Sequence, residues 1–66
     1  MQVTINGKAE TFEQGMTVAQ LLAAREIDPA CVVVEVNLSI PRREQHAAAA
    51  LKNGDVVEIL RFVGGG

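Results

Sequence analysis

Apolar and polar positions alternate from the start of the chain, Met1, Val3 and Ile5 against Gln2, Thr4 and Asn6, which is the period of a strand with one buried face. Asn6-Gly7 follows, a pair that tolerates positive φ at both positions and so predicts a two-residue hairpin. The return strand should run through Lys8–Glu13 with Phe12 facing inward, ended by Gly15. The period then becomes helical: Val18, Leu21 and Leu22 form an apolar stripe, with Gln20, Arg25 and Glu26 largely outside. Thr17 and Gln20 have capping-box spacing, and Met16 stands where it can staple against Leu21. Asp28-Pro29 is the predicted stop, because the residue before proline avoids the α region.

Cys31–Val36 is rich in β-branched residues, and its apolar run predicts a central strand covered on both faces for part of its length. Between Pro41 and Leu51 the signals conflict. The tract Ala47–Ala50 favours helix, whereas Pro41 and the short length favour a turn or 3₁₀ segment. Asn53-Gly54-Asp55 is a turn, and Val56–Phe62 is the last strand. The order is β-β-α-β-β, an α+β arrangement. One helix on one face of a mixed sheet satisfies it, with the first and last strands parallel and adjacent at the centre. That is the β-grasp, or ubiquitin-like, architecture. Residues 1–62 form the domain, and residues 63–66 form a flexible C-terminal tail.

Composition narrows the function. A chain of 66 residues, nine of whose hydrophobic residues are alanine, builds one thin core with no room for an enclosed substrate cavity. With one His, one Cys and no Trp or Tyr, it is short of proton shuttles and nucleophiles, so it is not expected to be an enzyme. A net charge of −2 argues against nucleic acid as partner. A single cysteine cannot form an internal disulfide. The opening strand pattern is unlike a signal peptide, and no apolar run approaches a membrane span. The expectation is a soluble cytoplasmic protein with no membrane partner.

The candidate chemistry lies at the end of the chain. Gly64, Gly65 and Gly66 close the sequence, and Gly66 is expected to carry the terminal carboxylate. Without Cβ atoms such a tail can lie in a channel too narrow for side chains; Val63–Gly66 could reach about 14 Å at ~3.5 Å per residue. The plainer alternative is a disordered end or an expression scar. A carboxylate is a poor electrophile until its oxygen becomes a leaving group. Adenylation by ATP would supply that, but the sequence holds neither a P-loop nor a metal cluster, so the activating machinery would belong to a partner. If Val57 and Ile59 face the helix, Glu58, Leu60 and Phe62 face away. Leu60 and Phe62 are then a docking patch ahead of the tail, extended by Cys31 or Val33; with the other register they are core. Cys31 alone reads as a small hydrophobe, and His46 lacks companions at metal-ligand spacing. Arg42 and Arg43 are a solvated turn or a contact for an acidic partner, and Glu10 and Glu13 are a solvated strand face or edge protection.

Taken together these residues resemble the ThiS-type sulfur carrier proteins of thiamin thiazole biosynthesis, within the ubiquitin-like superfamily. The resemblance runs end to end. It rests on Thr17–Leu22, on Val34–Asn37 with Ile40-Pro41-Arg42, on Leu51, on Gly54-Asp55 with Val57-Glu58-Ile59, and on Val63-Gly64-Gly65-Gly66. The family often carries a Trp about where His46 stands. The resemblance implies that a ThiF-like adenylyltransferase uses Mg-ATP to convert the Gly66 carboxylate to an acyl-adenylate, and that this chain binds no cofactor itself. A sulfur donor, typically a cysteine desulfurase, then yields a thiocarboxylate, whose sulfur passes to thiazole synthase (ThiG-like). Gly64 and Gly65 would be the flexible approach, and Leu60, Phe62 and Val63 the partner contacts. Three alternatives stay open: a MoaD-like subunit of molybdopterin synthase, a modifier conjugated through Gly66, and a non-catalytic ubiquitin-like interaction module.

Overall fold

The computed structural model describes residues 1–62. In chain order it has β1 (Gln2–Ile5), β2 (Lys8–Thr11), α1 (Val18–Ala24), β3 (Val32–Val36) and β4 (Val56–Arg61), with 3₁₀ turns at Pro29–Cys31 and Arg43–Gln45. The strands form one sheet in the order β2-β1-β4-β3. β1 and β4 are parallel neighbours at its centre, with Thr4 opposite Val56 and Ile5 opposite Val57. The alternation in β1 therefore puts Val3 and Ile5 beside Val57, and the stripe Val18, Leu21 and Leu22 of α1 closes over them, all buried. This is the β-grasp layout expected from the order of elements.

The hairpin forms at Asn6 and Gly7, whose φ angles of 49° and 82° are those a type I′ turn requires. β2 ends at Thr11, sooner than the alternation suggests, because its partner strand has run out. The last pairing is made by the chain start: the Phe12 N–H donates to the Met1 carbonyl at 2.8 Å, and the Met1 ammonium donates to the Phe12 carbonyl at 2.7 Å.

All the free donors in the first turn of α1 find acceptors. The Gln20 N–H donates to Thr17 Oγ1 at 3.1 Å while the Thr17 N–H donates to Gln20 Oε1 at 2.9 Å, completing the capping box. The Val18 and Ala19 N–H groups donate to the carbonyls of Ala49 and His46, at 3.0 and 3.1 Å. With the His46 and Ala49 carbonyls engaged by α1 and Ala50 bridged to Thr17, the alanine tract is not a helix. Its small side chains let the backbone approach the helix end, and Arg43–Gln45 is 3₁₀, the second of the two predicted outcomes.

Two expectations are corrected. The helix stops at Ala24, well before Asp28-Pro29. The Ile27 N–H donates to the Leu22 carbonyl (2.9 Å) and the Glu26 N–H to that of Ala23 (3.1 Å), a Schellman turn with Glu26 at φ 56°. Asp28 instead caps the following 3₁₀ turn through the Ala30 N–H. Secondly, the β-branched strand lies at the sheet edge, not its centre, and starts at Val32 because Cys31 belongs to the 3₁₀ turn. Val32 and Val34 face the core, while Ile40, Pro41, Arg43 and His46 line a groove along the same strand. Cover from that loop lets an edge strand be this apolar.

Glu26 holds a left-handed conformation that costs an L side chain about 1 kcal/mol or more, part of which glycine would give back in the unfolded chain. Glu26→Gly should therefore raise stability by roughly 0.5 kcal/mol, or about 2–4 °C in Tm, in a thermal melt. A loss of stability would show that the Glu26 side chain makes a contact worth more than the backbone strain.

Candidate functional site

β4 is the strand that runs on toward residues 63–66, so whatever sets its facing sets the approach to the chain end. Val57 is fully buried and Ile59 packs against the core, which sends Glu58, Leu60 and Phe62 to the opposite side. Leu60 is 50% exposed and Phe62 is 56% exposed, so the register that would have buried them is excluded. Leu60 lies directly opposite the half-buried Val33, and the Phe62 N–H donates to the Cys31 carbonyl at 2.9 Å. Cys31 is exposed beside it. The predicted extension of the patch by Cys31 and Val33 is thus a matter of geometry: four side chains share one corner of the outer sheet face. Val63, Gly64, Gly65 and Gly66 lie outside the described residues.

Next to this apolar corner, Glu35 of β3 stands directly opposite Glu58 of β4. Like charges facing each other across a strand pair repel, and neither residue has a cationic partner among the described residues. Glu10 is different from the sequence expectation. It shares the helix side of the sheet with Val3 and is ion-paired with Arg25 of α1, so it ties helix to sheet rather than lining a free face.

Sequence reasoning missed two features. Arg42 and Arg43, read as a solvated turn or a contact for an acidic partner but not placed near the candidate site, line with Phe62 and Pro41 a groove of about 180 Å³ beside β3, which places two cations near the end of β4. No local signal in the sequence predicts that approach. His46 is buried, 6% exposed, with Leu22 and Ile27 among its neighbours around a second groove. It fills a packing position between α1 and the loop that carries it. Among the described residues, no group of three or more His, Cys, Asp or Glu side chains could hold a metal ion. Nor is any of their helices long and apolar enough to cross a membrane.

Comparison with known proteins agrees with the geometry. A family model described as the ThiS family matches residues 3–66. The chain is 36% identical over 63 residues to the sulfur carrier protein ThiS of Bacillus subtilis, covering 94% of this chain and 96% of that one. It is 41% identical over 66 residues to a thiazole synthase of Paramagnetospirillum magneticum, covering all of this chain but 20% of that protein. A thiazole synthase of Magnetococcus marinus matches over the same share at 33% identity, so the chain spans about a fifth of the length of these two relatives. The crystal structure of a thiamine biosynthesis protein (ThiS) from Geobacter metallireducens superposes with a TM-score of 0.86 at 39% identity, covering 100% of both chains.

The opposed carboxylates make a prediction about stability. Glu58→Lys converts a repelling pair into an attracting one and should stabilise the fold by about 0.5–1 kcal/mol, measured by chemical denaturation at low salt. The gain should shrink as salt rises. An unchanged midpoint at every salt concentration would mean that the carboxylates avoid one another in solution.

Proposed function

The chain belongs to the ThiS family, and on that footing we propose that it is a sulfur carrier of thiamin thiazole biosynthesis, a substrate for partner enzymes rather than a catalyst. The observation that carries the reading is the exposure of Leu60 and Phe62 at the end of β4, one residue ahead of three glycines in the sequence. An apolar corner followed, after Val63, by three residues without side chains suits a protein that docks on a partner and passes its end inside.

In this reading a ThiF-like adenylyltransferase holds Mg-ATP. The Gly66 carboxylate attacks the α-phosphorus and pyrophosphate leaves, which turns a resonance-stabilised anion into an acyl group with AMP as leaving group. A persulfide sulfur, delivered by a cysteine desulfurase or an equivalent donor, displaces AMP. Cleavage of the resulting S–S bond by a thiol leaves the thiocarboxylate, and a ThiG-like thiazole synthase takes its sulfur. ATP as co-substrate points to the cytoplasm. Gly64 and Gly65 serve as the approach, and Leu60, Phe62 and Val63 as the contacts outside the channel. Facing carboxylates at Glu35 and Glu58 favour a partner surface with a cation opposite them, since such a cation would relieve their repulsion. Two relatives named thiazole synthase in which the matching part is a fifth of the protein support thiazole synthase as the sulfur acceptor.

Pyrophosphate release with a ThiF-like enzyme and Mg-ATP tests the two halves separately. Phe62→Asp should raise the KM for the carrier at least tenfold, the effect of losing about 1.4 kcal/mol of docking energy, with little change in Tm because Phe62 is exposed. Gly65→Val should abolish turnover while leaving the fold intact. Leu38→Asp is the control: Leu38 is 91% exposed beyond the other end of β3, and the substitution should change nothing in the assay. Full activity of Gly65→Val would contradict the narrow-channel reading.

A further inference from the structure

Asn6 looks at first like a turn former and nothing more, since asparagine tolerates the φ of 49° that the hairpin needs. The structure gives its side chain a separate task. β1 pairs with β4 as far as Ile5, opposite Val57, and the backbone then turns away toward β2. The Asn6 N–H makes the last backbone bond of the parallel ladder, to the Val57 carbonyl at 2.9 Å. Beyond that point the Ile59 N–H and carbonyl would face the space β1 has vacated. Instead the Asn6 carboxamide takes both: the Ile59 N–H donates to Oδ1 at 2.7 Å, and Nδ2 donates to the Ile59 carbonyl at 3.3 Å. A side-chain amide thus replaces the missing peptide group and extends the ladder along β4.

We propose that Asn6 is a positioning residue for sulfur transfer, its carboxamide clamping Ile59 so that the end of β4 presents Leu60 and Phe62 in one fixed orientation. The inference rests on the carrier reading above. Ile59 is the last residue of β4 held from the β1 side by a bond among the described residues, and the exposed Leu60 follows it immediately. Without the clamp, β4 beyond Val57 is held from β3 alone and can twist about that single ladder. The orientation that a partner recognises is then a fraction of the ensemble, and apparent affinity falls by that fraction. Once the carrier is docked the partner restores the geometry, so the chemical step is untouched. Asn6 acts through Ile59 and touches no reacting atom.

Asn6→Gly keeps the positive φ and the backbone bond to Val57 while removing both carboxamide bonds. Gly7→Ala does the opposite: it strains the turn at φ 82° and leaves the carboxamide in place. Both are compared with wild type for Tm and for adenylation by a ThiF-like enzyme with Mg-ATP. The expected result is a KM for Asn6→Gly about fivefold higher, the scale of one lost hydrogen bond, with kcat unchanged. Gly7→Ala should lower Tm and leave KM as in wild type. Faster hydrogen exchange at the Ile59 amide should accompany the KM change in Asn6→Gly. A wild-type KM for Asn6→Gly, or an equal rise for Gly7→Ala, would overturn the proposal, the second by tracing the effect to stability alone. Absence of adenylation in the wild-type protein would instead strike at the carrier reading, so the two failures are distinguishable.

Discussion

The parallel pairing of β1 with β4 is the contact on which the rest of the structure depends. It joins the two ends of the described chain, so every element between them is enclosed in one loop that the pairing closes. It also sets facing: with Ile5 opposite Val57, the inner side chains of both strands meet α1, and period-two alternation leaves no choice about where Leu60 and Phe62 go. A slip of one residue would bury these two and expose Val57 and Ile59. Non-local pairing of this kind is entropically expensive, and much of the polar detail reinforces it. The Thr4 N–H donates to the Asp55 carbonyl at 2.9 Å, the Gln2 N–H to Asn53 Oδ1 at 2.7 Å, and Asn6 extends the ladder past its natural end.

What the sequence made legible was whatever depends on near neighbours. The hairpin at Asn6-Gly7 and the capping box at Thr17 and Gln20 are set by residues within a few positions of one another, and both formed as their spacing indicates. The alternation in β4 was legible too, because a strand against a helix has one buried side. The helix end was not. Nothing in the sequence marks Glu26 as a left-handed position, since the usual signal is glycine. The place of β3 was obscured by a similar ambiguity: a β-branched run is equally well covered by neighbouring strands or by a loop lying alongside, and here the loop from Ile40 provides much of the cover.

The candidate site divides the same way. Its apolar corner follows from periodicity, and its glycine run is plain in the sequence. The approach of Arg42 and Arg43 to Phe62, the ion pair that removes Glu10 from the free surface, and the two hydrogen bonds between the Asn6 carboxamide and Ile59 all join residues distant in sequence. They emerge only once the sheet is closed. Much of the site is thus a consequence of the core: the apolar contacts that stabilise the small domain also fix the facing of its exposed corner.

The central claim is that the end of this chain carries sulfur, and intact mass tests it most directly. The protein is incubated with Mg-ATP, a ThiF-like adenylyltransferase and a sulfur source whose activity has been shown on an established carrier. The account predicts a gain equal to replacement of one oxygen by sulfur, mapped by fragmentation to Gly66. An unchanged mass under those conditions, or sulfur located at Cys31 instead, would contradict it.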